Sequence, residues 1–261
     1  MKPENLTAAQ LRDRIRAAKW RNPTSGAARG FVQANLVMLP KIAAFDFLLF
    51  CVRNPKPCPI LDVLEAGVCE PNIAPGADLR RDLPRYRVYR NQELSKETET
   101  VTDTYTEDMV SFLLGCSFSF ENALQAAGVP IRNIAEGKNV SMYITNRPCT
   151  PAGPFSAPLV VSMRPMTPEQ AVRAVQITTR FHLTHGAPVH IGDPDQIGIK
   201  DIDRPDFGDP VTIRPGEVPV FWACGVTSAL AATSTPLPLV ITHAPGHMFV
   251  SDLKDEDMTI F

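Results

Sequence analysis

Uninterrupted hydrophobic runs and clusters of basic residues are both missing from this chain of 261 residues. The most apolar stretch, residues 31–52, is interrupted by polar, charged and proline residues, namely Gln33, Asn35, Pro40, Lys41 and Asp46. We therefore do not expect it to cross a bilayer. The 26 Lys and Arg residues nearly balance the 28 Asp and Glu residues, with a formal net charge of −2. The chain is therefore not expected to bind a nucleic acid or an anionic membrane.

Closely spaced cysteine pairs and a secretion signal are also missing. The chain begins with the polar segment Met1–Glu4 rather than with a charged and then apolar signal peptide. Its six cysteines are widely spaced and form no CxxC pair: Cys51, Cys58, Cys69, Cys116, Cys149 and Cys224. Free thiols in a cytoplasmic protein are the expectation.

The glycine-rich and lysine motifs that bind common cofactors are not found either. There is no GxGxxG, no P-loop and no Schiff-base lysine motif, so we predict that the protein needs no organic cofactor. Proline, in contrast, is abundant: 25 residues, roughly twice the average usage. Because the prolines are spread along the chain, they predict many fixed turns that can hold side chains in a site.

Predicted strands and helices alternate along the chain. The segment Thr7–Gln10 is a helix-starting capping box, and a second box begins at Thr167 directly after a predicted strand at 159–163. Another strand is predicted at 31–39, followed by a helix after Pro40. This order predicts an α/β fold of mixed α+β character, in which helices cover mixed sheets in two tightly associated units.

The expected domain division is an inserted smaller unit. We predict a larger α/β domain from residues 1–129 plus 193–261 and a smaller β-α-β-containing domain from residues 130–192. An internal duplication is a further hypothesis, because GCSFSFENAL at 115–124 resembles ACGVTSALAA at 223–232. Recurrent strand-turn-helix patterns are the alternative explanation.

Histidine is scarce but clustered. Residues 184–193 read THGAPVHIGD and residues 242–252 read THAPGHMFVSD, and together they hold four of the five histidines: His185, His190, His243 and His247. Imidazole titrates near neutral pH and is the commonest metal ligand. Its position on loops fixed by Pro and Gly therefore favours acid/base catalysis. The alternative is that these rings bond to loop carbonyls.

A metal site built from the same histidines stays open as a second alternative. Pro188 and Pro245 make a helix unfavourable here, so the helical HExxH arrangement does not apply. Two imidazoles and a carboxylate can still bind a divalent ion. The candidate ligand sets are His185, His190 and Asp193, or His243 and His247 with Asp252.

Five other residues are of a type that fits catalysis or acid binding. Cys116 and Cys224 stand at predicted helix starts, where a helix dipole lowers a thiol pKa, although such cysteines often only pack. Glu121 is either a charged partner or a general acid. Arg147 and Arg164 stand beside prolines after predicted strands, where a guanidinium can clamp a carboxylate or remain solvated.

Seven unusual phrases between residues 45 and 253 resemble those of the bacterial hydro-lyase family, also called the D-glutamate cyclase family, and the resemblance covers the chain from about residue 30 to residue 253. They are FDFLLFCVRNPKPCP (45–59), GCSFSFENAL (115–124), LVVSMRPM (159–166), HGAPVHIGDP (185–194), RPDFGDPV (204–211), PVFWACGVT (219–227) and THAPGHMFVSDL (242–253). The resemblance implies a lyase with a two-domain α/β architecture. It also implies kinship with a mitochondrial enzyme that cyclises D-glutamate to 5-oxo-D-proline.

That reaction suggests roles for the residues already named. His243 or His247 is the candidate base, and His185 or His190 the candidate acid. Further candidates are grouped by role: Asp193 to orient a histidine; Cys116 and Glu121 as additional catalytic groups; Arg164 or Arg147 to anchor a carboxylate; and Asn146, Gly115 and Cys224 to bind and polarise the substrate.

Two other functions remain open at this stage. A metal-dependent hydrolase or hydratase would use the same histidines, whereas a non-catalytic protein would only bind a small acid. In each case the expected partner is a small carboxylic or amino acid, and a homo-oligomer is compatible with the sequence.

Overall fold

This computed structural model describes residues 2–259, which contain two β-sheets and six α-helices. The first sheet has the strand order β2 (Ile60–Leu64), β5 (Met109–Gly115), β1 (Phe31–Pro40), β10 (Val240–His243), β3 (Tyr86–Arg90) and β4 (Glu93–Thr98), and β11 (Phe249–Lys254) also pairs with β1. The second has the order β6 (Ser141–Pro148), β7 (Pro158–Met166), β9 (Val218–Ala223) and β8 (His190–Ile191). The helices are α1 (Ala8–Arg16), α2 (Lys41–Arg53), α3 (Phe118–Ala126), α4 (Arg132–Glu136), α5 (Pro168–Thr178) and α6 (Val226–Thr233). None of these helices is long and apolar enough to span a membrane.

The predicted α/β class is confirmed, but all paired strands run antiparallel instead of forming mixed sheets. The reason is a split β-α-β unit. Strands β7 and β8 point the same way on either side of α5, yet β9 lies between them and pairs antiparallel with both. Strands β1 and β2 are separated by β5 in the same manner. In both cases a strand that arrives later in the chain separates two strands that are connected through a helix.

Both predicted capping boxes are confirmed. The Thr7 hydroxyl accepts the Gln10 N–H at 3.2 Å, and the Gln10 side chain accepts the Thr7 N–H at 3.1 Å, which starts α1. Thr167 and Gln170 form the same pair at the start of α5. These helix starts were predictable because every group involved lies within four consecutive residues.

The topology agrees with the hypothesis of an internal duplication, which stays a hypothesis. The order β1-α2-β2-β5-α3, with the strands β3 and β4 inserted before β5, corresponds to β7-α5-β8-β9-α6, and the strand neighbours match in the two sheets. A matching hydrogen bond fixes the correspondence. Ser119 stands three positions after Cys116, and its hydroxyl accepts the N–H of Gln33 at 3.0 Å. Thr227 stands three positions after Cys224, and its hydroxyl accepts the N–H of Val160 at 2.9 Å.

Each repeat gives its final strand to the other sheet. Strand β6, which follows α3, pairs with β7 in the second sheet, whereas β10, which follows α6, pairs with β1 in the first. This exchange joins the two repeats through backbone hydrogen bonds. The predicted domain boundaries at 129/130 and 192/193 stay a prediction, and β9, which falls in the range 193–261, is a strand of the second sheet.

The starts of α3 and α6 meet inside the molecule. Cys116 and Phe118 share one buried cluster with Cys224 and Val226. All six cysteines are free thiols.

Gly225 has no room for a side chain, because a Cβ atom there would lie 2.0 Å from Asn35 Nδ2. Asn35 is buried, and its amide donates to Gly115 O at 2.8 Å, so it cannot move aside freely. We expect Gly225→Ala to lower the free energy of unfolding by about 1–3 kcal/mol through overpacking. Urea denaturation measures this value. The double variant Asn35→Ala/Gly225→Ala should recover part of the loss, and equal stability of Gly225→Ala and the wild type would contradict the contact.

Candidate functional site

Two adjoining cavities of about 410 Å³ each form a cleft between strands β3 and β10 of the first sheet, helix α6 and a loop beside the second sheet. The cavities share Arg87, Phe207 and Pro245 in their walls. The inner cavity adds the polar residues Tyr89, Gln92, Thr242 and His243 and the α6 residues Val226, Ala229 and Leu230. The outer cavity adds Arg85, Glu97, Asn139, Asp206, Gly208 and His247.

Strand pairing brings the basic and imidazole groups of the cleft together. Thr242 of β10 lies opposite Arg87 of β3, and His243 lies opposite Tyr86. Arg85 precedes β3, and its carbonyl accepts the N–H of Ala244. The second histidine phrase therefore leaves β10 beside two arginines that are distant in sequence.

The loop at 204–209 supplies the opposite wall and depends on a glycine. Phe207 pairs with Met142 at the edge of the second sheet through reciprocal backbone hydrogen bonds. Gly208 has φ +77°, and a Cβ atom there would lie 1.9 Å from Val140 O. Only glycine fits this turn, which holds Phe207 against the cleft.

His243 is a buried, neutral imidazole in the wall of the inner cavity. Its side chain is 2% exposed, and burial lowers its pKa to about 4. The Leu36 N–H approaches Nδ1 at 3.2 Å, and the Leu36 carbonyl lies 3.3 Å from the same atom. Either tautomer therefore has a backbone partner, while Nε2 has none within residues 2–259.

His247 and the arginines give the outer cavity its polar character. The Nδ1–H of His247 donates to Pro245 O at 3.0 Å, and burial lowers the pKa of this ring as well. Arg87 and Arg85 lie 2.7 and 3.7 Å from the carboxylate of Glu97. The outer cavity also holds the carboxylate of Asp206, which accepts the Ile144 N–H at 2.7 Å. The two guanidinium groups are the groups of the cleft that can bind an anionic ligand.

His185 and His190 do not line either cavity of the cleft. His185 is buried, and its Nδ1–H donates to Lys56 O at 2.8 Å. His190 on β8 donates from Nε2 to the backbone carbonyl of Asp193 at 2.7 Å, and its ring lies beside Phe221. The Asp193 carboxylate accepts the Asp195 N–H and caps a short 3-10 helix. The structure thus unites His243 and His247 but separates them from the first phrase.

His185 should make folding stability depend on pH. Burial lowers its folded-state pKa from 6.5 to about 4, and Nε2 has no partner within residues 2–259 to receive a proton. The unfolded chain therefore binds more protons in this range, and stability falls as the pH drops from about 6.5 towards 4. We expect a loss of about 2–3 kcal/mol from this ring by pH 4.5.

His185→Asn is the variant that isolates this effect, since asparagine tolerates the left-handed backbone at φ +84°. Unfolding free energies of both proteins are measured at pH 7 and pH 4.5. Burial raises the pKa of Asp255 to about 7, so this group changes stability with pH in the opposite direction, but it does so equally in both proteins. The contribution of His185 is therefore the difference in pH dependence between the two proteins. Identical pH dependence in both would contradict the assignment to His185.

Arg164 and Glu121 form a buried ion pair. Arg164 Nη2 lies 2.6 Å from Glu121 Oε1, and the two side chains are 1% and 3% exposed. Arg164 also donates to Ser117 Oγ at 3.1 Å and Ser162 Oγ at 3.2 Å. Burial raises the pKa of Glu121, and the positive charge of Arg164 opposes that shift. Neither residue lines the cleft, and the pair connects β7 with α3.

The two helix-start cysteines are buried in the thiol form. Burial raises the pKa of Cys224 to about 11 and also raises that of Cys116. This effect is stronger than that of the helix starts, so the environment disfavours a thiolate nucleophile. The Gly115 N–H already donates to Pro59 O at 2.8 Å.

Asn146 and Arg147 are exposed at the end of β6. Asn146 packs against Gly198, and Arg147 donates to Val189 O at 3.2 Å. Neither lines the inner or the outer cavity.

No metal-binding cluster is formed between Lys2 and Thr259. In that range no group of three or more His, Cys, Asp or Glu side chains has the arrangement to hold an ion. The first predicted ligand set is divided because His190 contacts the backbone of Asp193 and not its carboxylate.

Sequence reasoning missed Arg85, Arg87 and Glu97. Arg85 and Arg87 are two positions apart in RYRVYR, and alternation of this kind places both side chains on the same face of a strand. Such a pattern is common on solvent-exposed hairpins, so it does not single out a site.

A larger cavity of about 790 Å³ lies between α3, α5 and residues 254–259. Its walls include Lys254, Asp255 and Glu256 but no histidine. The cleft is the stronger candidate because it combines two imidazole groups with two arginines.

Comparison with known proteins identifies the family. The sequence model of the D-glutamate cyclase family matches residues 110–252. A protein of Syntrophobacter fumaroxidans named "Putative hydro-lyase" is 61% identical over 249 residues, which cover 95% of each chain. "Putative hydro-lyase GK2103" of Geobacillus kaustophilus is 59% identical over 98% of this chain and 97% of that one. "Putative hydro-lyase YcsI" of Bacillus subtilis is 55% identical over 98% of this chain and its own full length.

The family match covers β10 and the cleft loop, and the relatives match over nearly the whole chain. Their shared name supports a lyase-type enzyme. The chain belongs to the D-glutamate cyclase family.

Proposed function

We propose that this protein is a lyase that removes water from a small amino or hydroxy acid bound in the cleft, with D-glutamate and its cyclic product 5-oxo-D-proline as the leading pair. The observation that carries the proposal is the presence of the neutral His243 ring and the Arg87 guanidinium in one cavity. A base and a carboxylate anchor are the two groups that this chemistry requires first.

The reaction joins the α-nitrogen to the carbon of the γ-carboxyl group of the substrate. An N–C bond forms, a C–O bond of the γ-carboxyl group breaks, and the oxygen leaves as water after receiving protons. The neutral His243 ring would accept a proton at Nε2 while its Nδ1–H donates to Leu36 O. Burial has left the lone pair unprotonated near neutral pH, as a base requires.

Access to Nε2 requires a small movement of the cavity wall, because this atom is covered in the ligand-free protein. Catalytic contacts are often completed only when substrate binds. Tyr89 adds a hydroxyl group to the same cavity, where it can donate to a developing oxyanion.

Arg87, with Arg85 behind it, would anchor the carboxylate that does not react. Both already contact Glu97, and a bound carboxylate would be a further anionic partner for this pair. Anchoring at one end and a base at the other would favour the ring-closing conformer. Of the imidazoles considered, we retain His243 as base and His247 as its partner, because both line the cleft.

The test is to incubate the purified protein with D- and L-glutamate and related hydroxy acids and to follow loss of water by mass spectrometry. We expect a 5-oxoproline product and retention of activity with a chelator, since we propose a metal-free mechanism. Ligand-induced stabilisation without any product would instead indicate a binding protein. Loss of activity with chelator, restored by a divalent ion, would indicate a metal-dependent hydratase.

A further inference from the structure

Helix α2 is apolar on two opposite faces. Ala43, Phe47, Phe50 and Cys51 point into the core, where they pack against the first sheet. The opposite face is exposed. A helix that is apolar all round is normally covered on all sides.

The exposed face forms a regular stripe. Ile42 is 91% exposed, Phe45 74% and Val52 59%, with the partly buried Leu49 between them. Steps of three, four and three residues place these side chains in a single line along the helix, as at the a and d positions of a coiled coil. Large apolar side chains clustered in this way mark an interaction surface.

We propose that this stripe binds the same stripe of a second copy of the chain, with the two α2 helices antiparallel about a twofold axis. The stripe is self-complementary in this arrangement. Ile42 lies opposite Val52 of the second copy, and Phe45 lies opposite Leu49. An isologous contact of this type closes as a dimer.

The charges at the two ends of α2 favour the antiparallel orientation. At the N-terminal end the Lys41 N–H donates to Asp108 O, which places the exposed carboxylates of Glu107 and Asp108 beside the helix start. Lys41 offsets one of these charges. The C-terminal end has the exposed cations Arg53 and Lys56. Antiparallel pairing brings the basic end of each copy to the acidic end of the other.

The first test is the molar mass in solution by sedimentation, over a range of concentrations, for the wild type, Phe45→Glu and a control. Val172→Glu is the matched control because Val172 is 61% exposed on α5 but stands alone. We expect a wild-type dimer, a rise of at least about 30-fold in the dissociation constant for Phe45→Glu, and no change for Val172→Glu. Circular dichroism and thermal unfolding verify that both variants fold.

The second test fixes the orientation. Protein with Ile42→Cys is mixed with protein with Val52→Cys and oxidised. Antiparallel pairing should give the mixed cross-link, whereas parallel pairing would give cross-links within each variant.

Three results would overturn the proposal: a monomeric wild type at every concentration, a dimer unaffected by Phe45→Glu, or exclusively like-with-like cross-links. A monomer that binds vesicles of anionic phospholipid through Phe45 would assign the stripe to a membrane surface instead. The outcome does not depend on which substrate the cleft accepts.

Discussion

Replacing His243 by glutamine should lower kcat for the proposed dehydration by about 10²–10⁴-fold, the usual effect of removing a general base. Glutamine keeps a polar group near Leu36 but cannot accept a proton near neutral pH. KM should change little because Arg85 and Arg87 still bind the carboxylate. Steady-state kinetics with the best substrate from the panel measures both parameters.

His190→Gln is the matched control for this experiment. His190 is also a loop-flanking histidine with a backbone carbonyl partner, but it lies on β8 and not in the cleft. We expect it to keep nearly normal kcat. Normal turnover in His243→Gln, or equal losses in both variants, would remove His243 from the mechanism without affecting the family assignment.

The features that were predictable from sequence are local ones. The capping boxes at Thr7 and Thr167 depend on four neighbouring residues each, and both are formed. The order of strands within the sheets was not predictable, because β5 and β9 each enter between two strands that come earlier in the chain. The spacing of residues along the sequence does not show that a later strand will lie between two earlier ones.

The candidate site shows the same division. The chemical types of Arg164 and Glu121 were recognised, but their mutual contact depends on β7 meeting α3 across 43 residues. From sequence alone, each side chain therefore looked available to bind a substrate, whereas in the structure each is bound to the other. His243 was identified by its unusual phrase, whereas its neighbour Arg87 comes from an ordinary hairpin.

Comparison of the corresponding residues of α6 and α3 shows why the described cleft lies on only one side of the fold. In α6, Val226, Ala229, Leu230 and Thr233 line the inner cavity. The equivalent residues of α3, counted from its cysteine, are Phe118, Glu121, Asn122 and Gln125, and they line a space of only about 10 Å³.

The N-terminal segment fills that second space. Residues 26–29 form its other wall, and the Ser25 hydroxyl donates to Glu121 at 2.9 Å. Glu121 thus occupies the position of Ala229, and its charge is neutralised by Arg164. The cavity beside α6 is open, whereas the corresponding space beside α3 is filled by a buried ion pair and by chain that precedes β1.

Breaking that ion pair should produce the largest loss of stability. Arg164→Met would leave the Glu121 carboxylate buried with only the Ser25 hydroxyl as a partner, and we expect the free energy of unfolding at pH 7 to fall by about 3–5 kcal/mol. The loss should shrink as the pH is lowered, because protonation removes the unpaired charge. Chemical denaturation at several pH values measures both effects.

The double variant Glu121→Leu/Arg164→Met separates packing from chemistry. Replacing both charges by apolar groups of similar size should restore most of the lost stability, since neither partner remains unpaired. It should also retain turnover if Arg85 and Arg87 anchor the substrate. A stable double variant with a strongly raised KM would instead make Arg164 the carboxylate anchor. An Arg164→Met protein as stable as the wild type would show that the buried pair contributes nothing to folding stability.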